Sequence, residues 1–222
     1  MLRTSLAPAL GACALMLALP ALGQEAQPAG TEPVSAEQVA AARAHADAMI
    51  ASAGAGQWFE NITGADGVPL VRHRPSGMTC RFIGGPSDRI HILSEPDDDL
   101  AAGDDVACNT QVLDISITTY ATRLADQYTA EEIMQDSMAA IAERWPTGTM
   151  IETDLVGITL EGYAAPFAGG YRIPAPDGGT YMTLVYVQHD GPWSFKLRAT
   201  GPDEEDTNVL SAMVLAMGLP EK

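Results

Sequence analysis

Two alternating stretches on either side of Asp190-Gly191 constrain the fold of this chain more than any other feature. Residues 181–189 and 192–200 each alternate between two kinds of side chain, as β-strands do. An Asp-Gly pair between such stretches favours the two-residue turn of a β-hairpin. The turn predicts a register that pairs Gln188 with Trp193, Tyr186 with Phe195, Leu184 with Leu197 and Met182 with Ala199. The predicted hairpin has one face rich in large apolar residues and a more polar face that carries Ser194.

A second hairpin is predicted around Arg74-Pro75-Ser76-Gly77, which has the residues that a type I turn prefers. If these four residues form the loop, Val71 faces Cys80 and Arg72 faces Thr79. One face then carries Val71, His73, Met78, Cys80 and Phe82, and the other carries Arg72, Thr79 and Arg81.

Three segments begin with the signals of helices. Ser35–Gln38 and Thr129–Glu132 are capping boxes, in which each side chain bonds to the other residue's backbone amide. We expect the first helix to run to about Ala53 and the second to end before Pro146. A third helix follows the acidic residues 203–206, because carboxylates favour the positive end of the helix dipole. Its predicted inward residues are Leu210, Met213, Val214 and Met217.

These elements predict an α+β fold, an antiparallel sheet flanked by helices in a two- or three-layer sandwich. Over residues 114–218 the order is strand, capped helix, ragged strands, hairpin and terminal helix. With the stretch WSFKLRATGP, this order resembles that of the DcrB-like and PsbP-like α/β sandwich proteins. The resemblance implies an exported, non-enzymatic accessory protein, and it assigns no functional residues.

The N-terminus has the features of a secretory signal peptide. Arg3 precedes an apolar run, and Ala21-Leu22-Gly23 places small residues where a signal peptidase cleaves. The alternative, a membrane anchor, is disfavoured by Pro8 and Pro20 in a run that barely reaches the length of a span. We predict a signal peptide at 1–23, a flexible leader at 24–34 and a single domain at 35–222. The protein is then periplasmic or secreted, with no membrane span after cleavage.

Removal of the signal peptide leaves two cysteines, Cys80 and Cys108. An isolated pair in an oxidising compartment predicts a disulfide, and buried free thiols are the alternative. Neither cysteine belongs to a C-x-x-C motif, so redox and zinc roles lack their usual spacing.

The chain is strongly acidic, with 12 Lys and Arg against 29 Asp and Glu and a net charge of -17. Such a charge repels phosphate backbones, which excludes nucleic acid as a partner and disfavours anionic membrane surfaces. Against this background, Arg72, Arg74, Arg81 and Arg89 lie within 18 residues. We predict that Arg72, Arg74 and Arg81 bind an anionic ligand or an acidic envelope protein. The alternative is that they form ion pairs with acidic residues of the same chain.

Motifs of catalysis and metal binding are absent from the sequence. The acidic residues of 95–105 do not fit the spacing of an EF-hand, and no His pair has the spacing of a zinc site. We therefore predict no metal and no cofactor, and an exported binding or accessory protein without catalytic residues. The alternative is a periplasmic hydrolase that uses His73 or His91 with a nearby carboxylate.

Overall fold

The computed structural model describes residues 33–94, 100–124, 126–151, 155, 157–175, 177–220 and 222. Residues Val34–Lys222 form one compact unit. The predicted signal peptide lies outside the described residues, and so does the predicted leader apart from Pro33 and Val34. Within the described ranges, no helix combines the length and the apolar character that a membrane crossing requires.

The described residues form three helices and two antiparallel sheets, which confirms the predicted α+β class. The helices are α1 (Ala36–Ser52), α2 (Ala130–Arg144) and α3 (Glu205–Gly218). The small sheet has the order β1 (Phe59–Asn61), β2 (Leu70–His73) and β3 (Thr79–Arg81). The large sheet has the order β4 (Arg89–Ile92), β5 (Asp105–Val112), β6 (Ile115–Thr122), β10 (Trp193–Pro202), β9 (Thr180–Asp190), β8 (Phe167–Pro174) and β7 (Thr149–Met150).

The large sheet is the middle layer of three. Its inner face packs against α1, α3 and the small sheet, around the buried side chains of Tyr186, Phe195 and Leu197. On its outer face, Val185 and Val187 pack against Met134 and Ile141 of α2. The helices therefore flank the sheet on both sides, as the sequence predicted.

Both capping boxes form as predicted, at Ser35 of α1 and Thr129 of α2. Two strands form in the region of the ragged strands, the short β7 and the longer β8. Residues 157–166 contain no strand.

The register of the β9–β10 hairpin differs from the prediction by two residues. Tyr186 pairs with Leu197 and Asp190 pairs with Trp193, so the loop is Gly191-Pro192 instead of Asp190-Gly191. Proline has no N–H to donate to the ladder, so it is better placed in the loop than opposite His189. Gly191 adopts a φ of 54°, which suits the first loop position of a turn that needs a positive φ. A shift of two residues keeps every side chain on its predicted face.

The second face of this hairpin is more buried than its sequence suggested. Ser194 is only 2% exposed, and Val185 and Val187 are buried as well. Val185 and Val187 are covered by α2, which contacts β8 and β9 on that side. Alternation along a strand shows which residues share a face, but a helix distant in the sequence decides whether that face is covered.

The rotation of α3 also differs from the prediction. Met213 and Met217 are 44% and 49% exposed, and the buried positions are Thr207, Asn208, Ser211, Ala212, Leu215 and Gly218. The buried hydroxyl of Tyr186 donates to the side-chain oxygen of Asn208, which turns this face of the helix toward the sheet. Small residues there allow a close approach, since a Cβ on Gly218 would lie 3.3 Å from the Thr79 carbonyl oxygen.

Candidate functional site

A cleft of about 790 Å³ lies between the small sheet, the large sheet and α3. One wall is the outer face of β2 and β3, and the second is the C-terminal half of β5 with Thr119 of β6. The third is α3 with the residues after it. Its apolar lining comes from Ile62, Leu70, Ile83, Val112, Leu210, Val214, Met217 and Leu219. The volume falls within the range of small-molecule sites, roughly 300–1,000 Å³.

The β2–β3 hairpin brings two of the predicted arginines to this cleft. Its register is the predicted one, with Val71 opposite Cys80 and Arg72 opposite Thr79. Because residues of one face alternate, Arg72 and Arg81 both project outward and line the cleft. The opposite face is buried as predicted, and Val71, His73, Met78 and Phe82 are fully shielded.

The charge of the cleft is opposite to the charge of the chain. Arg72 and Arg81 are the charged residues among its described lining, which contains no Asp, Glu or His. The chain as a whole carries a net charge of -17. The cleft therefore combines an apolar interior with two cations at one wall.

Both arginines also contact acidic residues of the same chain, which is the alternative that the sequence left open. Arg72 is held tightly, because its Nη2 and Nε lie 2.6 and 2.7 Å from Glu60 Oε1. The hydrogen bond from Arg72 keeps the pKa of Glu60 below its usual value. Arg81 is held loosely, with its Nη1 3.4 Å from Oδ2 of the exposed Asp66. Exposed pairs of this kind contribute little, about 0–1 kcal/mol, so an anion can compete for Arg81.

The third predicted arginine, Arg74, does not reach the cleft. Its Nη1 donates to the carbonyl oxygens of Gly56 and Gln57 at 3.0 and 3.2 Å. Its Nε lies 3.6 Å from Glu60. These contacts tie the β2–β3 loop to the segment after α1, which indicates a structural role.

The predicted disulfide joins Cys80 and Cys108, with 6.2 Å between their Cα atoms. It connects β3 of the small sheet to β5 of the large sheet, and both cysteines line the cleft. The bond therefore fixes the wall that carries Arg72 and Arg81 to the wall formed by β5.

The histidines named for a hydrolase lie outside the cleft lining. His73 is fully buried, and its Nδ1 lies 2.8 Å from the hydroxyl of Ser76, which also accepts from the Met78 amide. Burial lowers the pKa of His73 to about 4, against a smaller opposing effect of the Gly103 backbone. His91 is half-buried on β4, opposite Ala107. A neutral, enclosed His73 cannot contact a substrate in the cleft.

A buried carboxylate that sequence reasoning missed holds the loop between β3 and β4. Oδ2 of Asp88 accepts from the amides of Gly84 and Gly85 and lies 2.9 Å from His45 Nε2. Its Oδ1 accepts from Thr110 Oγ1. With these donors the carboxylate has a structural role, joining α1, this loop and β5.

Metal-binding clusters are not found where the structure is described: no group of three His, Cys, Asp or Glu there has the geometry of a cation site. Of the acidic residues of 95–105, Glu95 and Asp97–Asp99 lie outside the described residues. Asp104 is 3.7 Å from Arg123, and Asp105 accepts from Thr122 at 2.7 Å.

Comparison with known proteins gives distant structural likenesses only. No family model matches the chain, and no curated protein matches it. A Pseudomonas aeruginosa protein of unknown function, PA94, described as a candidate regulator, matches with a TM-score of 0.35 and 14% identity, over 70% of this chain and 98% of that one. LpqN, involved in cell envelope biogenesis of Mycobacterium tuberculosis, matches with a TM-score of 0.28 and 14% identity, over 64% and 86%. The resemblance to the DcrB-like and PsbP-like proteins stays a prediction.

Proposed function

We propose that this protein is an exported, non-enzymatic binding protein whose cleft takes an amphipathic anion. The observation that carries the proposal is the cleft of about 790 Å³, lined by apolar side chains and by two arginines as its charged residues. A concave apolar site with a few polar groups at one side suits a small molecule with an apolar body and one charged end.

The apolar end of the ligand lies against α3 and the end of β5. Val112, Leu210, Val214 and Met217 offer it apolar contacts. Each methylene group transferred from water into such a site contributes about 0.8 kcal/mol. An alkyl chain of about ten carbons therefore supplies most of the affinity.

The charged end lies at Arg81. Arg72 is already committed to two short contacts with Glu60, whereas Arg81 makes one long contact with Asp66. A carboxylate or phosphate at the cleft wall gains charge-assisted hydrogen bonds from Arg81 and draws on the positive charge of Arg72. An acidic envelope protein, the other predicted partner, fits a concave site of this size less well.

Export is supported by two independent features. The sequence of residues 1–23 has the pattern of a signal peptide. The Cys80–Cys108 disulfide is typical of proteins that fold in the periplasm or outside the cell.

A hydrolase is the less favoured function. The lining of the cleft, as far as the structure describes it, offers neither a histidine nor a carboxylate as general base. His73 has a hydroxyl partner in Ser76, but it is enclosed and its pKa is lowered to about 4.

Calorimetric titration with three probes below their micellar concentrations tests the proposal. Decanoate has the tail and the anionic end, decyltrimethylammonium has the tail with a positive end, and acetate has the anionic end alone. We expect decanoate to bind at least about tenfold more tightly than either of the others, a difference of about 1.4 kcal/mol.

Two substitutions localise the binding. Arg81→Gln should weaken decanoate binding about tenfold, because a charge-assisted hydrogen bond contributes about 1.5–3 kcal/mol. Arg172→Gln is the matched control. Arg172 lies on β8, outside the cleft lining, and its side chain is about as exposed as that of Arg81. It is also paired with a carboxylate, that of Asp203, at 2.8 Å. The proposal is wrong if decanoate does not bind, or if both substitutions weaken its binding equally.

A further inference from the structure

Leu113 is unusual in two ways: its apolar side chain is exposed, and its backbone has a positive φ. It is 84% exposed at the two-residue turn between β5 and β6. Its φ is 53°, in the left-handed region that glycine and asparagine adopt far more readily than leucine. An exposed apolar residue in a strained backbone conformation suggests a function other than stabilising the fold.

Two further exposed apolar side chains lie close to the cleft. Ile83 and Met217 line the cleft and are 56% and 49% exposed. Leu113 follows Val112, which also lines the cleft. We call Ile83, Leu113 and Met217 the apolar rim.

Hydrogen bonds hold this rim in place. Ser87 Oγ donates to Gln111 Oε1 at 3.1 Å, and Gln111 Nε2 donates to the Leu113 carbonyl at 3.2 Å. The loop between β3 and β4, which carries Ile83, therefore lies beside the turn that carries Leu113. Asp88 fixes this loop through the amides of Gly84 and Gly85. These hydrogen bonds thus fix the backbone at Leu113 and in the loop that carries Ile83.

The charge around the rim is close to balance, unlike the charge of the chain. Three arginines lie at or next to the cleft, Arg72, Arg81 and Arg89, the last opposite the cleft residue Asn109. Four carboxylates accompany them: Glu60 and Asp66 at the arginines, the buried Asp88 in the loop between β3 and β4, and Asp114 in the turn. The repulsion between this acidic chain and an anionic membrane is therefore weaker at the rim than its net charge of -17 implies.

We propose that the apolar rim docks on the surface of a lipid bilayer and brings the cleft to the phase that holds its amphipathic ligand. This inference rests on the proposed function. Single-chain amphiphiles partition into bilayers, so a protein that takes one up gains from contact with that surface. Exposed aliphatic side chains beside a ligand cleft insert shallowly among the head groups. The rim is continuous with the cleft, because Ile83 and Met217 belong to both. The partner of the rim is the bilayer.

The test uses vesicles of phosphatidylcholine with a minor share of phosphatidylglycerol, and the Leu113→Asn variant. Asparagine tolerates a positive φ, so this variant should keep or raise the melting temperature. We expect it to bind vesicles at least fivefold more weakly than the natural chain in flotation assays. Its affinity for monomeric decanoate should stay the same, because Leu113 is outside the cleft lining.

Met150→Asn is the matched control. Met150 is 51% exposed on β7, at the opposite edge of the large sheet from β4. This variant should bind vesicles as the natural chain does. Membrane docking is overturned if the natural chain binds decanoate but not vesicles, or if Leu113→Asn and Met150→Asn bind vesicles equally. Absence of decanoate binding by every variant overturns the proposed function instead.

Discussion

The two hairpins of this protein follow the same alternation of side chains and are used in different ways. In β2–β3, one face is buried and the other presents Arg72 and Arg81 to the cleft. In β9–β10, the inner face forms the main core and α2 covers Val185 and Val187 of β9 on the outer face. A hairpin becomes part of a site when its second face is left open, and part of the core when a helix closes it.

The largest effect is expected on the inner face of β10. Leu197 is fully buried, so Leu197→Asp places a charge without a partner in the core. We expect a loss of about 4 kcal/mol or more in the free energy of unfolding, measured by urea denaturation. A loss below about 1 kcal/mol would show that this face does not form the core.

Substitutions on the outer face of β10 and on the open face of β3 compare the two hairpins more directly. Ser194 is 2% exposed and its Oγ has no hydrogen-bond partner among the described residues, so Ser194→Asp should cost about 3 kcal/mol. Arg81→Ser, on the open face of β3, should change stability by no more than about 0.5 kcal/mol. Ser194→Ala should be neutral or stabilising, because it removes an unsatisfied hydroxyl. Equal costs for Ser194→Asp and Arg81→Ser in denaturant melts would remove the distinction between the hairpins.

The disulfide matters for the β2–β3 hairpin because the small sheet has only three short strands. Replacing Cys80 and Cys108 together with alanine opens a loop with a sequence separation of 28. We expect a loss of roughly 3.5 kcal/mol in urea melts, of the size that chain entropy gives for such a loop. The same variant should bind decanoate more weakly, since both cysteines connect walls of the cleft. Unchanged stability in urea and unchanged affinity for decanoate would mean that packing alone holds the small sheet.

The buried face of β2 predicts a smaller, pH-dependent effect. Burial lowers the pKa of His73 to about 4, whereas an unfolded histidine titrates near 6.5. The unfolded chain therefore binds more protons between these values, and stability falls as the pH decreases from about 6.5 to 4. We expect His73 to contribute roughly 1–3 kcal/mol to this loss.

Comparison with His73→Phe isolates this contribution, because phenylalanine can keep the contacts of the ring with Phe59 and Trp193. Urea melts at several pH values should show a flatter profile for His73→Phe over this range. Parallel profiles for the two proteins would mean that folding does not lower the pKa of His73.

Local signals made several elements predictable from the sequence. The caps at Ser35 and Thr129, the β2–β3 register and the disulfide each depend on a few neighbouring residues or on the only cysteine pair outside the predicted signal peptide. The predicted β9–β10 register was wrong by two residues. Placing Pro192 in the loop outweighs the preference of Asp190-Gly191 for the turn. These features are decided by backbone chemistry over short distances.

The cleft could not be predicted in the same way. Its walls come from strands and a helix far apart in the sequence, and its third wall depends on the rotation of α3. That rotation follows from the contact between Asn208 and the buried Tyr186, which no helical pattern reveals. The signal in the sequence was the unusual density of arginines, which led to two residues of the lining and to Arg74, which lies outside it.

Methyl NMR of the methionine side chains tests most directly whether the cleft binds an amphipathic anion. Met213 and Met217 lie one turn apart on α3 and are similarly exposed, at 44% and 49%. Only Met217 of the two lines the cleft. On titration with decanoate, we predict that the Met217 methyl signal shifts to saturation while the Met213 signal stays in place. Equal shifts of both signals, or saturable binding that moves neither, would place the ligand elsewhere and contradict the account.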